Sequence, residues 1–284
     1  MLDRRLNAYR SDLADQALQG KVEAERFVVP QIAMIGKSVV PLRPRPDLTA
    51  GIDTELLMGE AVGVFERKDG MAWIKAASDG YVGYLPEAAL IEWQEPTHVV
   101  SVPRTFVYPG PDLKLPMRQA LSMGSRLSFR GEVETRGTLY RLLPDGGAVV
   151  ANHLRPLSEV QSGDYVDVAA RFLETPYLWG GKSAFGIDCS GLVQLSMAMV
   201  GQAAPRDSDM QADHLGVQIS REELRRGDLV FWKGHVAIME DEKTLIHANG
   251  HTMSVARETL EGAIARIGWL YGQPTGYRRP VAET

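Results

Sequence analysis

A block of this chain repeats itself. Leu56-Leu57-Met58-Gly59-Glu60, followed by Val62-Gly63-Val64-Phe65, returns as Leu121-Ser122-Met123-Gly124-Ser125, followed by Leu127-Ser128-Phe129. Asp79-Gly80 ahead of Tyr81-Val82-Gly83-Tyr84-Leu85 returns as Asp145-Gly146-Gly147 ahead of Ala148-Val149-Val150. A repeat of this size means two copies of one structural unit, each of roughly 60 residues. Within it the apolar runs are short and β-branched, such as Val39-Val40-Pro41-Leu42 and Ala72-Trp73-Ile74. Lys68-Asp69-Gly70 and Ser78-Asp79-Gly80 have the composition of hairpin turns. Strands this short and this closely spaced predict two small β-barrels, over 27–95 and 96–158. Pro96 and Pro103 mark the join, and Leu154 to Leu157 with Gln161-Ser162-Gly163 mark the exit.

The flanks read differently. Leu2, Leu6, Tyr9, Leu13, Ala17 and Leu18 recur at helical spacing up to Gly20, which predicts a helical lead-in over 1–26. From 159 to 284 helices precede strands. Asp164 to Glu174 is a predicted helix with Val168, Phe172 and Leu173 on one side, and Ser190 to Gly201 is a second. Asp228 to Trp232, His235 to Met239 and Thr244 to His247 are predicted strands. Helices first and antiparallel strands after is an α+β order.

A chain of 284 residues, 44% hydrophobic and 24% charged, has enough apolar sequence for two or three cores. Its net charge of -5 gives no pull toward nucleic acid or anionic lipid. One cysteine makes no internal disulfide and no cysteine-based zinc site. The charged residues among the first ten leave no secretory apolar stretch, and no run of about 18 apolar residues spans a membrane. The expectation is a cytoplasmic protein with a reduced thiol, export by another route staying open.

That single cysteine carries the chemistry. Cys189 stands in Gly186-Ile187-Asp188-Cys189-Ser190-Gly191, at the entrance of a predicted helix. A thiol attacks as thiolate, a minor species at neutral pH for an ordinary cysteine. A helix N-terminus and a neighbouring imidazole both favour the anion, and the first-turn N–H groups can hold an oxyanion. Gly186 and Gly191 would let a substrate backbone come close. His235 opens one strand and His247 lies on the next, so His235 is a candidate base and His247 a candidate orienting partner. Each residue alone also has a structural reading: a buried thiol, packed histidines, Asp188 as a helix cap. His247 and His251 are four apart, but Asn249-Gly250 between them argues for a turn, so no metal is expected.

Together these segments resemble the NlpC/P60 family of cell-wall peptidases. The resemblance rests on Pro176-Tyr177-Leu178-Trp179-Gly180-Gly181, Gly186 to Val193, Pro205-Arg206-Asp207-Ser208, Arg226 to Trp232, and the His235 and His247 strands, all in family order. The repeated β units resemble bacterial SH3-type domains. The resemblance implies a papain-like fold with Cys189 as nucleophile, His235 as base and His247 as orienting member, and no cofactor. It implies cleavage between γ-D-glutamate and a diamino acid in murein peptides that begin with free L-alanine, in wall-peptide recycling. Asp188, Ser190 and Ser208 match the positions that read the amino end. An acid beside the thiol makes physical sense if a cation neutralises it, and a peptide α-amine would do so. Tyr81 and Glu60 match first-barrel residues that help close the pocket, and Tyr177 a residue by the oxyanion site. Two alternatives stand: another thiol amidase or acyltransferase on the same fold, and a non-enzymatic wall-binding protein.

Overall fold

The computed structural model describes residues 2–159 and 163–281, so Gln161-Ser162 of the expected exit lie outside the described residues. The chain divides into two compact units, 1–159 and 160–284.

In the first unit the repeat is visible strand by strand. One copy runs Gln31–Ile35, Val39–Leu42, Thr54–Leu57, Ala61–Lys68, Met71–Ala76 and Val82–Pro86, then a 3-10 turn at Glu87–Ala89 and the closing strand Leu90–Ile91. The other runs His98–Val100, Arg104–Val107, Gln119–Ser122, Arg126–Leu127, Gly131–Thr135, Thr138–Leu142 and Ala148–Val150, then a 3-10 turn at Ala151–His153 and the strand Leu154–Pro156. The long fourth strand of the first copy is two strands in the second. Alternating residues fill each interior: Ile35, Leu42, Leu56, Val62, Ile74 and Leu85 in one, Val100, Val107, Leu121, Leu127 and Val149 in the other.

The turns repeat as well. Asp69-Gly70 joins Lys68 to its partner Met71 with both φ angles positive (51° and 76°), and Arg136-Gly137 joins Thr135 to Thr138 in the same way (54° and 75°). Two left-handed residues in a two-residue loop match the twist of paired strands. The repeated Met-Gly steps share a reason too: Gly59 and Gly124 sit at φ 82° and 89°. A Cβ on Gly59 would lie 2.0 Å from the Arg126 carbonyl oxygen.

The N-terminal stretch corrects the expected helix. Residues 2–26 hold a short strand, Ala14–Asp15, paired in parallel with Phe27–Val28, and a 3-10 turn, Gln16–Leu18, capped by Asp15. The apolar spacing is real, but Ala8 and Leu13 bury against Phe65, Trp73 and Val82 of the first barrel. The Arg5 carbonyl accepts from Val82 N–H at 2.7 Å, and Arg10 stacks its guanidinium 4.4 Å from the Trp73 ring. A helix this short is marginal alone, so packing and edge pairing decide its form.

The second unit is α+β. Its helices are α1 (Tyr165–Ala170), α2 (Cys189–Ala198), α3 (Ser208–His214) and α4 (Leu260–Tyr271). Its main-sheet strands are β1 (Val217–Gln218), β2 (Leu229–Trp232), β3 (His235–Met239), β4 (Thr244–Asn249), β5 (Ser254–Thr259) and β6 (Gly276–Arg279). They form one antiparallel sheet in the order β1-β6-β2-β3-β4-β5. Helix α1 is shorter than expected and buries Tyr165, Val166 and Ala169, with Phe172 in the turn after it. Glu174 then adopts φ 67°, which turns the chain out of the helix.

One face of the sheet packs Val230, Trp232, Ala237, Met239 and Leu245 against Leu260, Ala263, Ile264 and Ile267 of α4. Helix α2 lies along β3 and β4 and is buried from Cys189 to Met197. Each of Leu192, Val193 and Leu195 removed from water is worth roughly 2 kcal/mol. That burial fixes a helix end, and with it the thiol, in the middle of the unit.

Candidate active site

Cys189 is the first residue of α2, and Asp188 is its N-cap. The Asp188 carboxylate accepts from Gly191 N–H at 2.7 Å, occupying one first-turn donor. No carbonyl or side-chain oxygen among the described residues accepts from Cys189 N–H, so this amide can meet a developing oxyanion.

The glycines around the thiol serve the chain's own packing, which corrects their expected role toward substrate. A Cβ on Gly191 would lie 2.3 Å from the Gly181 carbonyl oxygen, and one on Gly186 would lie 2.7 Å from Leu178 Cβ. Their absence lets the 178–188 loop close against α2. Tyr177 forms an isolated bridge to Ile187 on that loop. Its half-buried phenol feels the Cys189 and Asp188 charges, and burial, followed by those charges, raises its pKa. Its hydroxyl therefore stays protonated.

Asp188 is gripped by the chain's own groups. Arg206 is 1% exposed and grips both carboxylate oxygens, Nη1 to Oδ1 at 3.0 Å and Nη2 to Oδ2 at 2.7 Å. Gly180 N–H donates to Oδ2 at 2.9 Å and Ser190 Oγ to Oδ1 at 3.2 Å. With Gly191 N–H these are five donors on two oxygens, which offer about four lone-pair sites. The cation that neutralises this acid is thus the chain's own, and a substrate amine is not required for it. Ser190 Oγ is used in the same network, accepting from Arg206 Nη1 at 2.9 Å. Ser208 begins α3, half-buried, with no side-chain hydrogen bond among the described residues. Gln211, one turn on, ties α3 to α2 by donating to the Ser190 carbonyl at 3.0 Å.

The two histidines meet. His235 Nε2 and His247 Nδ1 are 2.9 Å apart. The β3–β4 register pairs Ile238 with Ile246; carried on, it puts Ala237 opposite His247 and His235 one diagonal step away. Because Nε2 is engaged, Nδ1 is the His235 nitrogen left for the thiol. The Val236 N–H, next along β3, is close enough to the Cys189 sulfur to oppose the rise of its pKa.

Burial governs both groups. It pushes the Cys189 thiol up to about 12, with the Asp188 charge adding to the rise and Val236 N–H, Arg206 and Ser190 N–H opposing it. It holds His235 down at about 3, helped by His247 and Arg266. Low-dielectric surroundings thus favour neutral thiol and neutral imidazole at rest.

Two residues absent from the sequence reading join this line. Glu258 Oε2 lies 3.3 Å from His247 Nε2, an ion-pair distance without hydrogen-bond alignment. Arg266 holds Glu258 through Nε to Oε1 at 3.0 Å and Nη2 to Oε2 at 2.6 Å. The pairing register was the missing signal, since β5 sets Glu258 opposite Leu245, diagonal to His247.

Tyr81 and Glu60 belong to the first unit. Tyr81 is packed in the first barrel core. Glu60 is buried and accepts from Leu57 N–H at 3.3 Å and from Ser78 Oγ at 3.4 Å, which brings it to the turn that precedes Tyr81.

Comparison with known proteins agrees with this geometry. A profile described as "NlpC/P60 family" matches residues 174–267, and one described as "Bacterial dipeptidyl-peptidase Sh3 domain" matches 42–90. The chain is 29% identical over 230 residues to the gamma-D-glutamyl-L-lysine dipeptidyl-peptidase of Bacillus cereus, covering 69% of this chain and 67% of that protein. It is 26% identical over 271 residues to dipeptidyl-peptidase 6 of Lysinibacillus sphaericus, covering 89% and 96%. It is 30% identical over 134 residues to the probable endopeptidase NlpC of Escherichia coli, covering 42% and 83%. The crystal structure of an NlpC/P60 family protein from Bacillus cereus shares the fold, with TM-score 0.74 at 24% identity over 88% of this chain and 99% of that one. The 174–267 match spans the Cys189, His235 and His247 segments, and the chain belongs to the NlpC/P60 family of cysteine peptidases.

Proposed function

We propose that this peptidase hydrolyses the bond between γ-D-glutamate and the diamino acid of murein peptides with a free N-terminal L-alanine, recycling wall fragments in the cytoplasm. The observation that carries the chemistry is the 2.9 Å contact between His235 Nε2 and His247 Nδ1, in the unit where Cys189 opens the buried helix α2. The names of the Bacillus cereus and Lysinibacillus sphaericus relatives support the substrate.

Cys189 Sγ attacks the γ-carbonyl carbon as its proton moves to His235 Nδ1. The oxyanion accepts from Cys189 N–H and the Tyr177 hydroxyl. Collapse breaks the C–N bond, and His235 returns the proton to the leaving amine. Water, deprotonated by His235, then hydrolyses the thioester and restores the thiol. Asp188, Arg206 and Ser190 hold the helix start that presents the sulfur. Asp188, Ser190 and Ser208 are the proposed substrate-binding positions at the amino end, and Ser208 has bonding capacity unspent. Tyr81 and Glu60 are proposed to act in substrate binding only.

The test is incubation with L-Ala-γ-D-Glu-diaminopimelate and with its N-acetylated twin, products read by mass spectrometry. The free peptide should yield L-Ala-γ-D-Glu and the twin should persist, while Cys189→Ala loses turnover by on the order of 10⁴-fold or more. Equal cleavage of both peptides overturns the free-amine requirement, and cleavage of neither overturns the substrate. Cell fractionation tests the cytoplasmic placement.

A further inference from the structure

His235, His247, Glu258 and Arg266 form an unbroken line across β3, β4, β5 and α4. Its steps are 2.9 Å from His235 Nε2 to His247 Nδ1, 3.3 Å from His247 Nε2 to Glu258 Oε2, and 2.6 Å from Glu258 Oε2 to Arg266 Nη2. The second histidine is 1% exposed, and its Nε2 is buried without a hydrogen-bond partner among the described residues. A buried ring nitrogen left in that state is costly unless a nearby acceptor receives its N–H.

We propose that Glu258, held by Arg266, is a positioning residue that sets the proton arrangement of both histidines and so leaves His235 Nδ1 unprotonated to act as the base. This rests on the assignment of His235 as base and not on which peptide is cleaved. An ionised carboxylate only accepts, so it requires the proton of neutral His247 to be on Nε2. His247 Nδ1 is then an acceptor. His235 must supply the proton between the rings from its own Nε2, and its Nδ1 keeps the lone pair. Reversing the first step reverses every later one.

The carboxylate is kept in the accepting form. Burial raises the Glu258 pKa, but the nearby His247 ring and the Arg266 hydrogen bonds outweigh it and hold it down to about 2. Arg266 also lowers both imidazoles, so two neutral rings lead to a carboxylate–guanidinium pair at the end of the line. The geometry follows from strand pairing: Leu245 faces Glu258 and His247 faces Ala256, so Glu258 reaches His247 on the diagonal.

The experiment is nitrogen-15 NMR of the histidine rings in the wild-type protein and in Glu258→Gln, read beside steady-state kinetics. Wild type should show protons on Nε2 of both His235 and His247. In Glu258→Gln, Arg266 draws the amide oxygen to itself and turns the NH2 toward His247 Nε2. The expected result is a proton shift to His247 Nδ1 and His235 Nδ1, with kcat lower by about 10- to 100-fold and KM within about twofold. Glu258→Leu, which removes the acceptor without adding a donor, should give mixed tautomers and a similar loss of kcat, and it serves if the glutamine variant fails to fold. Unchanged tautomers in either folded variant overturn the proposal, as does a wild-type His247 protonated on Nδ1. The ring spectra need no substrate, so failure of the substrate assignment would leave this result readable.

Discussion

Replacing Arg206 by methionine would leave the Asp188 carboxylate buried without its cation. The side chain is 1% exposed, and its hydrogen bonds include two to Asp188, one to Ser190 Oγ at 2.9 Å and one to the Gly181 carbonyl at 3.3 Å. Breaking a buried pair by removing one partner costs about 3–5 kcal/mol. Asp188 would keep three neutral donors, from Gly180, Gly191 and Ser190, which places the loss near the lower end, about 3 kcal/mol. That is on the order of a hundredfold in the fraction of opened molecules.

Because Cys189 is the only cysteine and is buried, thiol labelling reports opening of the catalytic unit alone. The labelling rate of Arg206→Met, normalised to the unfolded chain, should rise on the order of a hundredfold. Removing both charges, Asp188→Asn with Arg206→Met, should recover most of that rise, since no lone buried charge remains. A rise below about fivefold, or a double variant no better than the single, would refute the reasoning. Asp188 would then have a carboxylate to offer a substrate amine after all.

The remaining expectations concern His235, Cys189 and Gly191. With His235 held at about 3 by burial, its base form persists across the neutral range, and kcat/KM should fall only in strong acid, as pH drops through that value. The same depression stabilises the folded state above the ordinary imidazole pKa of about 6.5. Stability should therefore decline as pH falls from there toward about 3, because the unfolded chain binds the proton first, and calorimetric Tm values read this. With Cys189 pushed up to about 12, iodoacetamide labelling should rise about tenfold per pH unit through neutrality, and a plateau there would contradict a neutral resting thiol. Gly191→Ala places a methyl 2.3 Å from the Gly181 oxygen and should destabilise the unit by about 1–3 kcal/mol, whereas Gly250→Ala, with nothing within 4 Å, should be silent in the same assay.

The repeat, the turn glycines and the order of Cys189, His235 and His247 were legible because they are local. A two-residue turn needs its left-handed residues at fixed places, and strand alternation puts a histidine on a known face wherever the strand lies. The N-terminal stretch was misread for the complementary reason. Its apolar spacing suits a helix, but where Leu13 and Ala8 bury is decided by Trp73 and Phe65, some 60 positions away by residue number.

The partners of charge belonged to the tertiary structure. Asp188 could be named an acid beside a thiol from the sequence, yet only the fold brings Arg206 across 18 positions onto both its oxygens. Glu258 is an unremarked strand residue until β5 pairs with β4 and aims it at His247. Likewise the thiol's proton is set by how much water the surrounding core removes. The sequence by itself determined which groups are available and the local geometry that presents them. Their ionisation and mutual contact were decided by long-range packing, because electrostatic energies depend on distance and burial, neither of which is written along the chain.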